Sequence, residues 1–415
     1  MSGRRRKNAR PPAPKSEEEV LGRRYLRLIE DQLARLRAHP VHGNRAVFLD
    51  HLVIAHLLCF FNPQVKGLRS VEDIFELPGL RARYDVPRLP RSTVADAQAV
   101  FDPQLLRPML DSLIQRAGVQ PHDARLDAVT RQLLAVDGSF FAVAPRIAWA
   151  LYNQSSNRGR SHKGQVRAHV QFDLRLGLPV ETSLTDGQST EWEQLQARLR
   201  PDCFYVMDRG FQAYGLLANI LDQGSDFLVR LRKSARCEIV EARPLTAADQ
   251  AVGIASDEFV RLGWRDDQTP AMPMLRRVEV HYTDRDGQTA RLILLTNRLD
   301  LPAWMIALIY QHRWQIELFF RWLKCIANFS HFFSESQAGM TLQIYVTLIG
   351  LLLIAIETGA KPSKYDYALL SVAMTSREPM GPVLAVAAKR RAERARAAEW
   401  QRQYNAKKAA KNAGR

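Results

Sequence analysis

The sequence has no close cysteine pair, no long uninterrupted apolar run and no glycine-rich phosphate loop. Its four cysteines, Cys59, Cys203, Cys237 and Cys325, are scattered, with neither a C-x-x-C pair nor zinc-ligand spacing. They read as reduced, mostly buried thiols of a cytosolic protein. The basic N-terminus is followed by no apolar stretch, so it does not read as a secretory signal. The most apolar segment, Leu342 to Ile356, is interrupted by Gln343, Thr347 and Gly350 and closed by Glu357. It falls short of the ~20 apolar residues of a bilayer span, so a buried helix is expected and a membrane partner is not. Neither a P-loop nor a nucleophilic Ser or Cys arrangement occurs, which removes the usual sequence grounds for nucleotide hydrolysis or acyl transfer.

Acids are absent from residues 1–15, which carry Arg4, Arg5, Arg6, Lys7, Arg10 and Lys15. They are sparse in residues 389–415, where ten basic residues face only Glu393 and Glu399. Nearly all of the net charge of +16 therefore sits in the two tails, and the body between them is close to neutral. Basic arms on a neutral body suit a polyanionic partner, most often nucleic acid; solvated tails that only keep a protein soluble look the same by charge. At 415 residues, 46% apolar and 25% charged, the chain can bury a core, and its length suggests two to four domains at roughly 100–200 residues each.

Residues 1–15 lack periodicity and read as a disordered arm. Ser16 before Glu17, Glu18 and Glu19 marks a helix start, and helical spacing then recurs to about residue 125. Within that region, Val71 to Leu77 and the segment opening at Arg91-Ser92-Thr93 fit a helix-turn-helix or, more simply, a helical bundle. From residue 130 the pattern turns to strands: Leu133–Val143, Gln165–Asp173, Pro179–Leu184, Cys203–Met207 and Asp226–Leu231, with helices at Glu191–Leu199 and Gly215–Asp222. This order is an α/β mixed sheet compatible with an RNase-H-like fold. Residues 232–296 read as an all-β insertion without a helix. Asp300-Leu301-Pro302 then opens one long helix to about Ala327, with further helices to about residue 375.

The chemistry concentrates on that long helix. At about 100° per residue, Tyr310, Arg313, Glu317 and Lys324 fall within roughly 60° of one another, on a helix whose other residues mostly call for burial. Three charges and a phenol on such a helix need partners. A solvent-facing stripe with an Arg313–Glu317 pair would supply some; a phosphate for the cations and a metal for Glu317 would supply more. Asp137 interrupts the apolar run Leu134-Ala135-Val136, and Asp208 ends the run Phe204-Tyr205-Val206-Met207. If these two strands are neighbours, both aspartates project near one point and Glu317 adds a third carboxylate. Oxygen donors of this kind select Mg²⁺ or Mn²⁺, and a pair of such ions suits in-line phosphoryl transfer. Among other candidates, Arg158, Arg160, His162 and Lys163 read as a basic loop, and His169 as a satisfied core histidine. Asp186 reads as a turn residue and Glu191 as a helix-start residue.

Tyr310, Arg313, Glu317 and Lys324 reproduce Y-x2-R-x3-E-x6-K, the YREK signature. With Val136-Asp137-Gly138 and Met207-Asp208-Arg209-Gly210-Phe211, the sequence resembles DDE transposases of bacterial insertion sequences, specifically the insertion sequence 4 family, over about residues 130 to 330. The resemblance implies an RNase-H-like catalytic core broken by a β-rich insertion, preceded by an all-helical N-terminal domain and followed by C-terminal helices. Seven segments follow: a basic arm (1–15), a helical DNA-binding domain (16–125), the first part of the core (126–231), the insertion (232–296), the second part of the core (297–330), a helical region (331–388) and a basic tail (389–415). It implies Asp137, Asp208 and Glu317 as catalytic metal ligands and Tyr310, Arg313 and Lys324 as contacts to transposon-end DNA. The expected activity is Mg²⁺-dependent cleavage at terminal inverted repeats and strand transfer into target DNA, by a homodimer in the cytoplasm, associated with the nucleoid when on DNA. A catalytically silent DNA-binding relative, and an RNase-H-like nuclease that never joins strands, are the alternatives.

Overall fold

Runs of β-branched and aromatic residues between turn residues set the strands, and apolar residues at helical spacing set the helices. The computed structural model describes residues 26, 28–39, 46–62, 65, 67–118, 122–144, 146–156, 159–232, 235, 237–262, 272–283, 287–325, 332–359, 363, 367–370 and 380–413. Helices come first: α1 (Glu30–Arg37), α2 (Leu49–Phe61), α3 (Leu68–Glu76), α4 (Pro78–Tyr84), α5 (Arg91–Val100) and α6 (Arg107–Ala117). Next come β1 (Gln132–Val143), β2 (Leu151–Ser156), β3 (Gly159–Asp173), β4 (Leu178–Asp186), α7 (Glu191–Gln196), β5 (Cys203–Met207), α8 (Tyr214–Asp222) and β6 (Asp226–Arg230). Then β7 (Cys237–Ala242), α9 (Ala247–Ala251), β8 (Ile254–Leu262), β9 (Leu275–Thr283) and β10 (Thr289–Thr296) lead to α10 (Ala303–His312), α11 (Trp314–Cys325), α12 (Gln337–Thr358) and α13 (Met380–Ala413).

The chain divides into two compact units, Met1–Ala97 with Pro362–Arg415, and Gln98–Lys361. The first is helical throughout its described residues. Its central helix α2 is buried along nearly its whole length, and the Asp50 this burial would strand accepts a 2.7 Å hydrogen bond from Arg37 Nε. Phe75 and Tyr84 meet edge to face at 6.4 Å, which ties α3 to α4. The expected disordered arm, residues 1–15, lies outside the described residues.

The second unit is built on one ten-stranded sheet in the order β2-β3-β1-β5-β6-β10-β9-β8-β7, with β4 paired to β3. β1, β5 and β6 run parallel, and β3 lies antiparallel to β1, which is the RNase-H-like arrangement. Strand β5 is buried on both faces: Tyr205 and Met207 pack with Leu134, Val136, Phe227 and Val229 against Leu216 and Ile220 of α8, while Phe204 and Val206 face the other side. At about 1.5–3 kcal/mol per fully buried large apolar side chain, this sandwich fixes the register of β1 and β5 firmly. The expected buried helix is α12, 94% of whose most apolar stretch is buried, much of it against α6 and β4.

Three local expectations are corrected. The β-rich segment is not free of helix, because α9 forms on a capping box of Thr246 and Asp249. Its strands join the central sheet, β10 pairing with β6 and β9 with β10. The supposed basic loop Ser155–Gly164 is mostly strand, since β2 and the start of β3 pair as a hairpin. The predicted single helix after Pro302 is two, α10 and α11, divided at Arg313.

Candidate active site

The register of the two parallel strands places the first pair of carboxylates. Val136 stands opposite Met207, so Asp137 and Asp208, the next residues, lie side by side, Asp137 midway along β1 and Asp208 just past the end of β5. Asp137 is still within β1, and its Oδ1 accepts a 2.8 Å hydrogen bond from the Gly138 N–H. Burial pushes its carboxyl up to about 6; the Gly138 N–H and Arg313 oppose this, and the charges of Glu191 and Glu317 reinforce it. Asp208 follows β5 in extended conformation and its carbonyl accepts from Phe211 N at 3.0 Å, closing a tight turn. Its Oδ1 accepts from the Tyr310 hydroxyl at 3.1 Å and lies 3.7 Å from Arg230 Nη1.

The helical half reaches the same place. At the break between α10 and α11 the ladder tightens, with Arg313 N bonded to Tyr310 O and Ile316 N to Arg313 O, both at 3.1 Å. Arg313 is 8% exposed. Its guanidinium donates to Glu317, stands 3.9 Å from Asp137 Oδ2 and lies 5.6 Å over the Tyr310 ring. The pair with Glu317 is thus present, but in a buried setting rather than on a solvent-facing stripe. Burial works against the Arg313 charge, yet Tyr310, Glu317 and Asp208 outweigh it and raise its pKa. Burial also raises the Tyr310 phenol, which keeps it a protonated donor to Asp208. The Arg313 Nε–H is buried with no hydrogen-bond partner among the described residues.

The structure therefore brings together Asp137, Asp208, Tyr310, Arg313 and Glu317. Lys324, in the last turn of α11, is exposed and lies 5.3 Å over the Phe141 ring of β1, outside the carboxylate group. The expected burial of the rest of α11 is only partial, since Trp314 and Leu318 are exposed. Among the described residues no three carboxylate, imidazole or thiolate side chains stand close enough to form a ready-made ion cage. The guanidinium of Arg313, set between Asp137 and Glu317, supplies the positive charge there.

One residue of the site escapes the sequence reading. Glu191 is the helix-start residue expected of it, at the first position of α7, but its carboxylate also turns to the strand ends. A Cβ at Gly138 would stand 2.5 Å from Glu191 Oε1, and one at Gly210 3.5 Å from Oε2. Only glycine leaves room for that approach at 138. Burial raises the Glu191 carboxyl, the charge of Asp208 adds to this, and Arg167 and the Gly138 N–H pull it down. Arg167 is itself held 4.0 Å over the Phe140 ring. The available signal was a glycine within two residues after each aspartate, Asp137-Gly138 and Asp208-Arg209-Gly210. His169 is satisfied as expected, at 2.8 Å from Thr185 Oγ1, with burial lowering its pKa to about 3. Asp186 accepts from Gln188 N, Ser189 N and Ser189 Oγ, as a turn residue does. The side chains of Arg158, Arg160, His162 and Lys163 lie outside the described residues.

A family model described as "Transposase DDE domain" matches residues 129–353, more than half of the chain. The putative transposase y4zB of Sinorhizobium fredii is 28% identical over 239 residues, 56% of this chain and 64% of that protein, so the chain spans somewhat under two thirds of that relative's length. The probable transposase for insertion sequence element IS5377 of Geobacillus stearothermophilus is 23% identical over 79% of this chain and 82% of that one. The transposase InsG for insertion sequence element IS4 of Escherichia coli is 26% identical over 46% and 44%. With the RNase-H-like strand order and the paired aspartates at its centre, the chain belongs to the DDE transposase family and is similar to insertion sequence 4 transposases.

Proposed function

We propose that this protein cuts DNA at the ends of its own mobile element and joins the freed 3′ ends to target DNA. The observation that carries the reading is that Asp137, midway along β1, and Asp208, just past the end of the parallel β5, lie side by side, with Tyr310 and Arg313 of the α10–α11 junction brought onto them. Three carboxylates with no thiol in the group, and a neutral, engaged His169, make a hard oxygen donor set that suits Mg²⁺ or Mn²⁺. The raised Asp137 carboxyl fits as well, because a cation would relieve the cost of its buried charge, to which Glu191 and Glu317 add. Asp137, Asp208 and Glu317 would hold the ions, which supply activation of the attacking oxygen and stabilisation of the leaving one.

The remaining residues have roles that follow from their contacts. Tyr310 orients Asp208 through its hydroxyl. Arg313 presents a buried fork that can pass from Glu317 and Asp137 to a phosphate, since guanidinium and phosphate match bidentately. Glu191 packs on Gly138 and Gly210 and so steadies the backbone beside both aspartates. Lys324, exposed on the same helix, offers a point charge to DNA farther along. The partner is double-stranded DNA, the element's inverted repeats and then the target, and two copies of the chain hold the two ends together.

The test is cleavage of linear DNA carrying the inverted repeats that flank the gene, in Mg²⁺. Nicks at the repeat ends and joined products are expected from the natural protein, and neither from Asp137→Ala or Glu317→Gln. Undiminished cleavage by either variant defeats the assignment; cleavage without joined product leaves a nuclease.

A further inference from the structure

Across the sheet, Asp137 of β1 is followed by Asp208 just past β5 and by Arg230 at the end of β6, with Arg291 near the start of the antiparallel β10. On the β6 side of Asp208, away from Asp137, a cavity of about 800 Å³ opens. Its wall holds four guanidinium groups, Arg209, Arg230, Arg232 and Arg291, and its apolar surface comes from Leu231 and Ile293. Two of the four cations are engaged: Arg291 Nε is 2.6 Å from Glu279 Oε1, and Arg230 Nη1 is 3.7 Å from Asp208. Arg232 Nε donates only to the Arg209 carbonyl, at 3.3 Å, and both Arg209 and Arg232 are exposed. No carboxylate among the described residues pairs with either.

The two guanidinium groups without a carboxylate partner, Arg209 and Arg232, leave net positive charge in the cavity that an entering anion would offset. Guanidinium groups favour phosphate through their planar fork. The volume lies high in the roughly 300–1,000 Å³ range of sites that enclose whole ligands, so it has room for sugar and phosphate rather than a lone ion. Leu231 and Ile293 give such a sugar an apolar wall. The cavity also adjoins Asp208, because Arg209 is the next residue and Arg230 stands 3.7 Å from the Asp208 carboxylate. A strand with one phosphodiester at Asp208 must continue in two directions. Tyr310, Arg313 and Lys324 account for one.

We propose that this arginine pocket holds the phosphodiester backbone of the DNA strand where it leaves the reaction centre on the β6 side, with Arg209 and Arg232 on its phosphates. The proposal rests on the transposase reading above, which supplies the strand. It assigns the pocket a polymer and not a free anion.

The experiment uses the full-length, metal-free protein and a fluorescein-labelled random-sequence duplex ending in a single-stranded arm, followed by anisotropy across a KCl series. Arg209→Ala/Arg232→Ala is expected to weaken binding and to flatten the log–log salt slope by about 0.7–0.9 for each phosphate that is no longer neutralised. Arg209→Lys/Arg232→Lys keeps most of the slope, because charge is retained. Arg261→Ala, at an exposed arginine of β8 outside the pocket, serves as the control for loss of surface charge and leaves the slope unchanged. Inorganic phosphate at matched ionic strength displaces the DNA no better than chloride. A natural slope in the double alanine variant overturns the proposal, as does an equal loss in Arg261→Ala or selective displacement by inorganic phosphate. If the slope is unchanged while cleavage still depends on Asp137, the pocket assignment alone falls; if the natural protein does not bind the probe, both readings fall.

Discussion

The two halves of the site are held by different means. Asp137 and Asp208 are set by main-chain pairing between parallel strands that are buried on both faces, so their separation follows from sheet register. Glu317 and Lys324 are carried by α11, a helix that keeps Trp314 and Leu318 exposed and begins at a break in the helical ladder. Arg313, at that break, links the halves by contacting both Glu317 and Asp137. The strand half is thus preorganised; the helical half packs on the sheet through Phe319 against Phe172 and meets the aspartates through the Tyr310 hydroxyl and the Arg313 guanidinium, which a phosphate can claim. Changes in the first should remove chemistry with little effect on DNA binding, and changes in the second should disturb binding as well.

The largest effect is expected from Asp208→Ala or Asp137→Asn, which should lower cleavage by about 10³-fold or more while gel-shift affinity for the ends stays near natural. Asp137→Asn sharpens the contrast through stability. The folded Asp137 carboxyl, at about 6, lies above its unfolded value, so the folded state binds more protons and metal-free stability falls as pH rises through that window. Removing the charge should therefore raise the melting temperature at pH 7, by stability on the order of 2 kcal/mol, and the gain should vanish near pH 4. An unchanged melting profile would mean the buried charge is not strained.

Arg313→Lys comes next. A lysine cannot span Glu317 and Asp137 as a fork does, so end binding and cleavage should both fall about tenfold or more, measured by titration and by single-turnover rate. Loss of cleavage alone would place Arg313 with the strand half. Gly138→Ala then probes the contact with Glu191: the added Cβ meets Oε1, and cleavage should fall by roughly 10-fold, with Glu191→Ala in the same chain restoring part of it. Strict additivity of the two changes would contradict the contact. The smallest effect belongs to Lys324→Ala, expected to leave stability within about 0.5 kcal/mol and to reduce the DNA salt slope by about 0.9.

What could be read from the sequence followed the strength of local pattern. Asp137 stood out because an acid breaks a run otherwise suited to a buried strand, and the 3.6-residue period placed Tyr310, Arg313 and Glu317 together. The break at Arg313 left no trace, since neither Pro nor Gly lies between residues 310 and 317. Strand β2, Leu-Tyr-Asn-Gln-Ser-Ser, lacks apolar alternation and is held by pairing with β3, which only the folded sheet reveals. Helix α9, five residues long, rests on a cap rather than a periodic face. Glu191 was hidden by a sufficient local explanation: an acid at a helix start needs no further reason. Its second role depends on where α7 returns, which topology decides.

The most direct test of the central claim is Mn²⁺ binding to the protein–DNA complex, followed by the loss of the free-ion paramagnetic resonance signal. The natural protein should take up the ion, and Asp186→Ala, altered in a turn, should match it. Asp137→Ala, Asp208→Ala and Glu317→Ala should each abolish or sharply weaken uptake. Undiminished binding in any of those three would contradict a shared site.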